Sequence, residues 1–163
     1  MIRFSNLSPE HVQTLLERSG IAAESACLLA PMSGGSMQHA LGLDDEALSA
    51  RRELLLTALD KLDINRIVTV FSSSEELSGN RDETLEMLDM MISFFRDAVH
   101  IAAGCPDIIN RSARAAIESI SGRRSFSRNL ELLESIYETR RAIQKNANSK
   151  LALDHLFMNI AAV

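Results

Sequence analysis

An all-α fold is expected, and three features of the sequence predict it. Ala supplies 19 and Leu 22 of the 163 residues, and both are strong helix formers. Residues that strands favour are thin, with five Val, one Tyr and no Trp, which argues against a sandwich, a barrel or a sheet-centred α/β enzyme. Seven Gly and three Pro exclude a loop-rich chain, while 46% apolar residues are ample for a core. A chain of this length suits one medium domain or two small ones and should bury roughly 70% of its unfolded surface.

Ile2-Arg3-Phe4 reads as the end of an extended segment. Ser8-Pro9-Glu10 then opens a helix: Ser8 can cap it, Pro9 has its φ preset, and Glu10 favours the positive end of the dipole. Val12, Leu15 and Leu16 give it one apolar face, and Gly20 can end it. A second short helix covers about 22–30 and stops at Pro31. Ser33-Gly34-Gly35-Ser36 is a tight turn, and Ser36 can cap a third helix from Met37 to Leu43. Three short helices are too little for an independent core.

Asp44-Asp45-Glu46 opens a helix over about 45–61, with Leu48, Leu55, Leu59 and Leu62 inward. Over 64–77 the β-branched content competes with a helical face of Ile64, Ile67, Val68 and Phe71, and the helical neighbours decide for helix. Ser78-Gly79-Asn80 is a break. Leu85, Leu88, Ile92, Phe95, Val99 and Ala102 then form a helical seam over about 81–103, ended by Gly104 and Pro106. Met87, Met90, Met91 and Phe94 read as core or as an adaptable contact surface, not a cofactor box.

A helix over about 111–120 turns Ala115, Ala116 and Ile120 inward. Gly122, Arg123 and Arg124 form a basic link to a long helix over about 127–146, carrying Leu130, Leu133, Ile136, Tyr137 and Ile143. Asn146-Ala147-Asn148 ends it, and Ser149 can cap a last helix with Leu153, Leu156, Phe157 and Ile160 inward. The boundary between a small first domain and the rest falls within Gly42–Asp45.

Net charge is −5, against a uniformly basic nucleic-acid-binding surface, but residues 1–104 carry −8 and residues 105–163 carry +3. That asymmetry fits either an interaction surface or ordinary solvated helix faces. Cys27 and Cys105 stand far apart with no CxxC, which reads as reduced thiols and a cytoplasmic setting. The N-terminus has no apolar signal segment, and Asp89, Arg96 and Asp97 interrupt the most apolar run, so no membrane span is expected. No phosphate-binding glycine motif and no metal-ligand spacing appears; the four His are dispersed, and His100 near Cys105 makes only two ligands. Ser72-Ser73-Ser74 lacks a nucleophile context, and Glu75-Glu76 and Asp82-Glu83 read as helix-start or surface acids. No catalytic residue, cofactor or metal is therefore expected, and the chain reads as an interaction module. The competing class is a DNA-contacting module using Arg111, Arg114, Arg123, Arg124 and Arg128, opposed by few aromatics for stacking and by the negative charge.

Three stretches resemble bacterial DNA polymerase III clamp-loader subunits. Leu7-Ser-Pro-Glu10 through Ser33-Gly-Gly-Ser-Met-Gln-His-Ala-Leu41 is similar to the end of their AAA+ lid. The helix reading LEMLDMMISFFRD from Leu85 to Asp97 is similar to a long collar helix. Arg140 through Leu156, with its Asn146-x-Asn148 before a leucine-rich helix, looks like the last two collar helices. Within that family the chain is most similar to the delta-prime type. Nucleotide-hydrolysing subunits carry GSxRxAL at the lid turn, whose Arg meets phosphate; here Gly35-Ser36-Met37-Gln38-His39-Ala40-Leu41 puts uncharged Gln38 in that place.

The resemblance implies an all-α molecule with a lid remnant over 1–43 and a helical-bundle collar over 44–163. It implies a C-terminal piece, with an AAA+ domain before Ile2 in a whole subunit and no long extension beyond the collar of the kind gamma/tau subunits carry. It implies partners: gamma/tau and delta subunits through the collar, and the sliding clamp and primed DNA only through the whole pentameric assembly. Its chemistry would lie in the absent part, the parent holoenzyme being a DNA-directed DNA polymerase. Arg140, Arg141, Lys145 and Lys150 are candidate subunit contacts or a solvated basic face, and Asn146 and Asn148 are read as helix caps. A gamma/tau or delta subunit is the alternative within the family.

Overall fold

The structure is a computed structural model that describes residues 7–33, 35–42, 45–62, 67–105 and 107–162. Expectations for Ile2–Phe4, Gly34, Leu43, Asp44, Ile64, Arg66 and Pro106, and for the side chains of Pro31, His39, Leu48, Ile67 and Glu76, fall outside the described residues. All regular structure among them is helical, as the composition requires. The chain divides into two units, 1–51 and 52–163.

The first unit holds α1 (Pro9–Arg18), α2 (Ala23–Met32), α3 (Met37–Gly42) and the start of α4 (Asp45–Lys61). Ser8 caps α1 by accepting from the His11 N–H at 3.4 Å. Gly20, at φ +91°, closes it: the Ile21 N–H reaches back to the Leu16 carbonyl and the Gly20 N–H to Glu17. That pair of bonds is a Schellman motif, which needs the left-handed conformation glycine adopts without strain. Val12, Leu16, Ala26, Leu29, Ala30 and Ala40 are buried here, whereas Leu15, expected inward, is 38% exposed. Helix α2 continues past the expected stop at Pro31 to Met32.

The second unit contains the rest of α4, then α5 (Ile67–Leu77), α6 (Arg81–Ala102), a 3-10 turn (Arg111–Ala113), α7 (Arg114–Ser121), α8 (Phe126–Gln144) and α9 (Ser149–Ala161). Helix α6 is central, packing along α8 on one side and α7 on another, while α9 joins α8 and α5. Asn80 and Glu83 form a reciprocal capping box at its start. Its end repeats the closure of α1, with Gly104 at φ +74° and Cys105 N–H bonded to the His100 carbonyl. Asn146, at φ +67°, closes α8 in the same way, confirming it as a helix terminator. Asn148, not Ser149, caps α9 by accepting from the Leu151 N–H.

The inward face of α6 is rotated from the expected seam. Leu88 and Phe95 are buried, but Leu85, Ile92 and Val99 are half-exposed and Ala102 exposed. Met87, Met90, Met91, Phe94 and Ala98 take the interior, so the methionine row is core. In α5, Val68 and Phe71 face solvent and the buried positions are Val70, Ser73, Ser74 and Leu77. The two serines mislead a hydropathy reading, because the Ser74 hydroxyl is satisfied by the Phe71 carbonyl and the Asp154 carboxylate. In α7, Ile117 and Ile120 are buried, while Ala115 is exposed and Ala116 half-buried. The four expected anchors of α9 are all buried, at 0% exposure.

Candidate subunit interface

Most charged residues of α6–α9 are already engaged inside the second unit. Arg81, at the start of α6, donates to the Ile143 and Gln144 carbonyls at the end of α8. Arg124 donates to the Ile120 and Ile160 carbonyls, and Arg128 to the carbonyls of Asn159 and Ala162 at 2.6 and 2.9 Å. Helix C-termini leave unpaired carbonyls at the negative end of the dipole, and these guanidinium groups satisfy both needs at once. Burial, with the Arg123 and Arg128 cations adjacent, pushes the Arg124 guanidinium below its ordinary value. Arg123 pairs with Asp60 and Arg114 with Glu118. Four of the five arginines that would make a DNA-contacting patch are thus committed within the domain; Arg111 is exposed.

Arg128→Ala should free the last turn of α9. The expected cost is about 2 kcal/mol, since three acceptors lose a charged donor. Hydrogen exchange should quicken at 159–162 before it quickens elsewhere in α9.

Asp97 is the one fully buried carboxylate among the described residues, at 0% exposure. It accepts from the Ile109 N–H at 3.1 Å and from both the backbone and side-chain N–H groups of Asn110 at 2.7 Å. Arg96 lies 3.4 Å away, and Asn110 donates again to Ser93. The network ties the 107–110 segment to α6 and turns Ile108 into the core. In the sequence, Asp97 counts only as a charge that interrupts an apolar run and as part of a resemblance; its burial is not legible there.

The expected contact residues separate by environment. Arg140 makes a bidentate pair with Asp89 at 2.6 and 2.9 Å, joining α8 to α6, and that hydrogen bond raises its guanidinium above the ordinary value. Lys150 reaches Ser74 and Asp154 at 3.5 and 3.4 Å. Arg141 and Lys145 are exposed at the end of α8, with no partner among the described residues. In the first unit, Gly35 has φ +81°, its carbonyl accepts from the Leu7 N–H, and its own N–H donates to the Ser33 hydroxyl. Ser36 leads into α3, on which Gln38 is exposed.

Helix α8 carries a second apolar row. Its buried row is Asn129, Leu132, Ile136, Thr139 and Ile143. Phe126, Leu130 and Tyr137 lie about a third of a turn away and are 46%, 39% and 41% exposed, with half-buried Leu133 between them. The sequence reading grouped Leu130, Leu133, Ile136, Tyr137 and Ile143 as one apolar set, because one helix with two apolar rows averages to a single broad face. A contiguous row of large apolar side chains on the solvent side of a helix is a candidate contact surface. Elsewhere, Leu56, Leu59, Phe94, Phe95, Ala98, Ile117 and Ile120 line a small apolar dimple, with no polar side chain to orient a ligand. Among the described residues, no three His, Cys, Asp or Glu are placed to hold a metal, and no helix is long and apolar enough to cross a membrane.

A family model described as DNA polymerase III, delta subunit, C terminal, matches residues 45–161. The chain belongs to this family. The match runs from the first residue of α4 to the last of α9, so it covers the α6–α8 pair, the buried Asp97 network and the exposed row of α8. Such a clamp-loader subunit domain is not itself a polymerase catalytic domain. No curated protein and no solved structure matches the chain.

Proposed function

We propose that the chain is the C-terminal part of a delta-prime-type clamp-loader subunit. In this reading residues 1–43 end an AAA+ lid and residues 44–163 form a collar. The collar binds gamma/tau and delta subunits in the cytoplasmic pentamer that places the sliding clamp on primed DNA. The family match over 45–161 carries the clamp-loader role. Two observations favour assembly over direct DNA contact: the arginines of 114–128 are spent on carboxylates and helix ends, and the exposed row of α8 is apolar. An apolar patch with a polar rim suits a protein partner, whereas a phosphate backbone needs free cations.

The delta-prime assignment rests on Gln38, an uncharged residue where the resemblance places the phosphate-sensing Arg of hydrolysing subunits. The family's own description favours delta as the second reading. In this reading either subunit uses the same collar. Co-purification tests the proposal: the full chain, co-expressed with gamma/tau and delta subunits, should elute with them. A folded chain that elutes alone overturns it. In a mobility-shift assay the chain by itself should leave primed DNA unshifted; salt-sensitive binding would favour the DNA-contacting module. It should also turn over no ATP, and measurable hydrolysis would contradict the collar reading.

A further inference from the structure

We infer that the exposed face of α8 is the seat for one amphipathic helix of another loader subunit, a helix whose apolar row is edged by Lys or Arg. This rests on the clamp-loader reading and specifies which surface carries it and what chemistry it accepts.

The geometry of α8 sets the terms. At 100° per residue, Phe126, Leu130, Leu133 and Tyr137 fall within one narrow stripe along about three turns of the helix. Helix α6 and helix α9 occupy the other sides, through the Arg140–Asp89 pair, through the bond from Arg128 to Asn159, and through the bond that the Asn159 amide donates to Ser135. The stripe therefore lies on the arc that neither neighbour covers. Apolar residues at i, i+4, i+7 and i+11 are the spacing into which a second helix lays its own row.

Charge selects the partner. Glu134 and Glu138 are exposed along one edge of the stripe, with no partner among the described residues. Their carboxylates would sit beside an incoming helix, so a basic edge is attracted and an acidic one repelled. Two-fold antiparallel pairing of α8 with a second copy would place the two acidic edges on the same side, with Glu134 near its own symmetry mate. Self-association through this stripe is thereby disfavoured. At the far end, Arg141 breaks the acidic run and fixes direction, since it favours an acid on the partner there.

The test uses the full chain in the co-expressed complex. A photo-crosslinker placed by Tyr137→p-benzoylphenylalanine should capture a helix of a different subunit bearing apolar residues four apart with a Lys or Arg beside them. The double variant Glu134→Lys/Glu138→Lys should weaken assembly at least tenfold, with Glu134→Gln/Glu138→Gln intermediate. Circular dichroism and the urea midpoint should not move for either, because both side chains are solvent-facing. Capture of a second copy of this chain, capture of a segment with no basic residue, or undiminished assembly of the Lys variant would overturn the inference while leaving the loader role standing. Failure of the unaltered chain to assemble would overturn both.

Discussion

Asp97→Ala is expected to destabilise the second unit by about 4 kcal/mol, because removing the acceptor of a buried charged network strips the Asn110 backbone N–H of its partner in low dielectric. Three N–H groups of Ile109 and Asn110 point at this carboxylate, and Arg96 is beside it. Nothing else described is bonded to the Asn110 N–H, and its side-chain amide would keep only Ser93. Asp97→Asn preserves the volume and one acceptor oxygen, but turns an amide NH₂ toward existing donors, so about half that loss is expected. The local signature separates this from general core damage. The Ile109 and Asn110 amides should lose exchange protection in Asp97→Asn even where the rest of α6 keeps it. The urea midpoint by far-ultraviolet circular dichroism gives the global value, which suits a chain with no Trp and one Tyr. Protection at 109 and 110 that survives the substitution would show that the bonds are not what holds the segment.

Phe157→Ala should cost about 4 kcal/mol by the lost transfer energy and the cavity left behind. Phe157 is at 0% exposure, as are Leu153, Leu156 and Ile160 on the same helix. Helix α9 is held to the bundle by that row, by Arg124 and Arg128 at its end and by Asp154 to Ser74 on α5. The substitution should therefore loosen α9 against both α8 and α5. Protection should fall along the whole of α9, whereas Arg128→Ala should affect only its last turn. A loss confined to a few tenths of a kcal/mol would mean that α9 is not packed as described.

Much of the architecture was legible because its signals are local. Caps, glycine terminators and Ala/Leu content depend on neighbours a few residues away, and Ser8, Gly20, Gly104 and Asn146 act where the sequence places them. Which face of a helix turns inward depends on what surrounds it. Helix α6 is covered on several sides, so its seam gave a direction that tertiary packing rotated toward Met87, Met91 and Phe94. Helix α5 buries two serines, and Asp154, eighty residues away from Ser74, makes that one tolerable. The basic residues of the C-terminal third read as a surface, yet Arg81, Arg124 and Arg128 meet carbonyls at helix ends that no spacing rule brings near them. Arg140 was singled out for a partner and is held by Asp89 of the same domain. The candidate interface itself was half-visible: Leu130, Leu133 and Tyr137 were marked as apolar positions of α8, but only the buried row beside them shows that they are surplus to the core.

As proposed above, this bundle would be an assembly domain whose contacts leave from the exposed face of α8. Native mass spectrometry of the full chain mixed with gamma/tau and delta subunits tests it most directly, with Leu130→Glu/Tyr137→Glu as the comparison. The unaltered chain should appear in one discrete complex with those subunits, and the double variant, equally helical, should be left as the free chain. A variant that enters the complex as readily as the unaltered chain, or an unaltered chain found only by itself, would rule out assembly through this face.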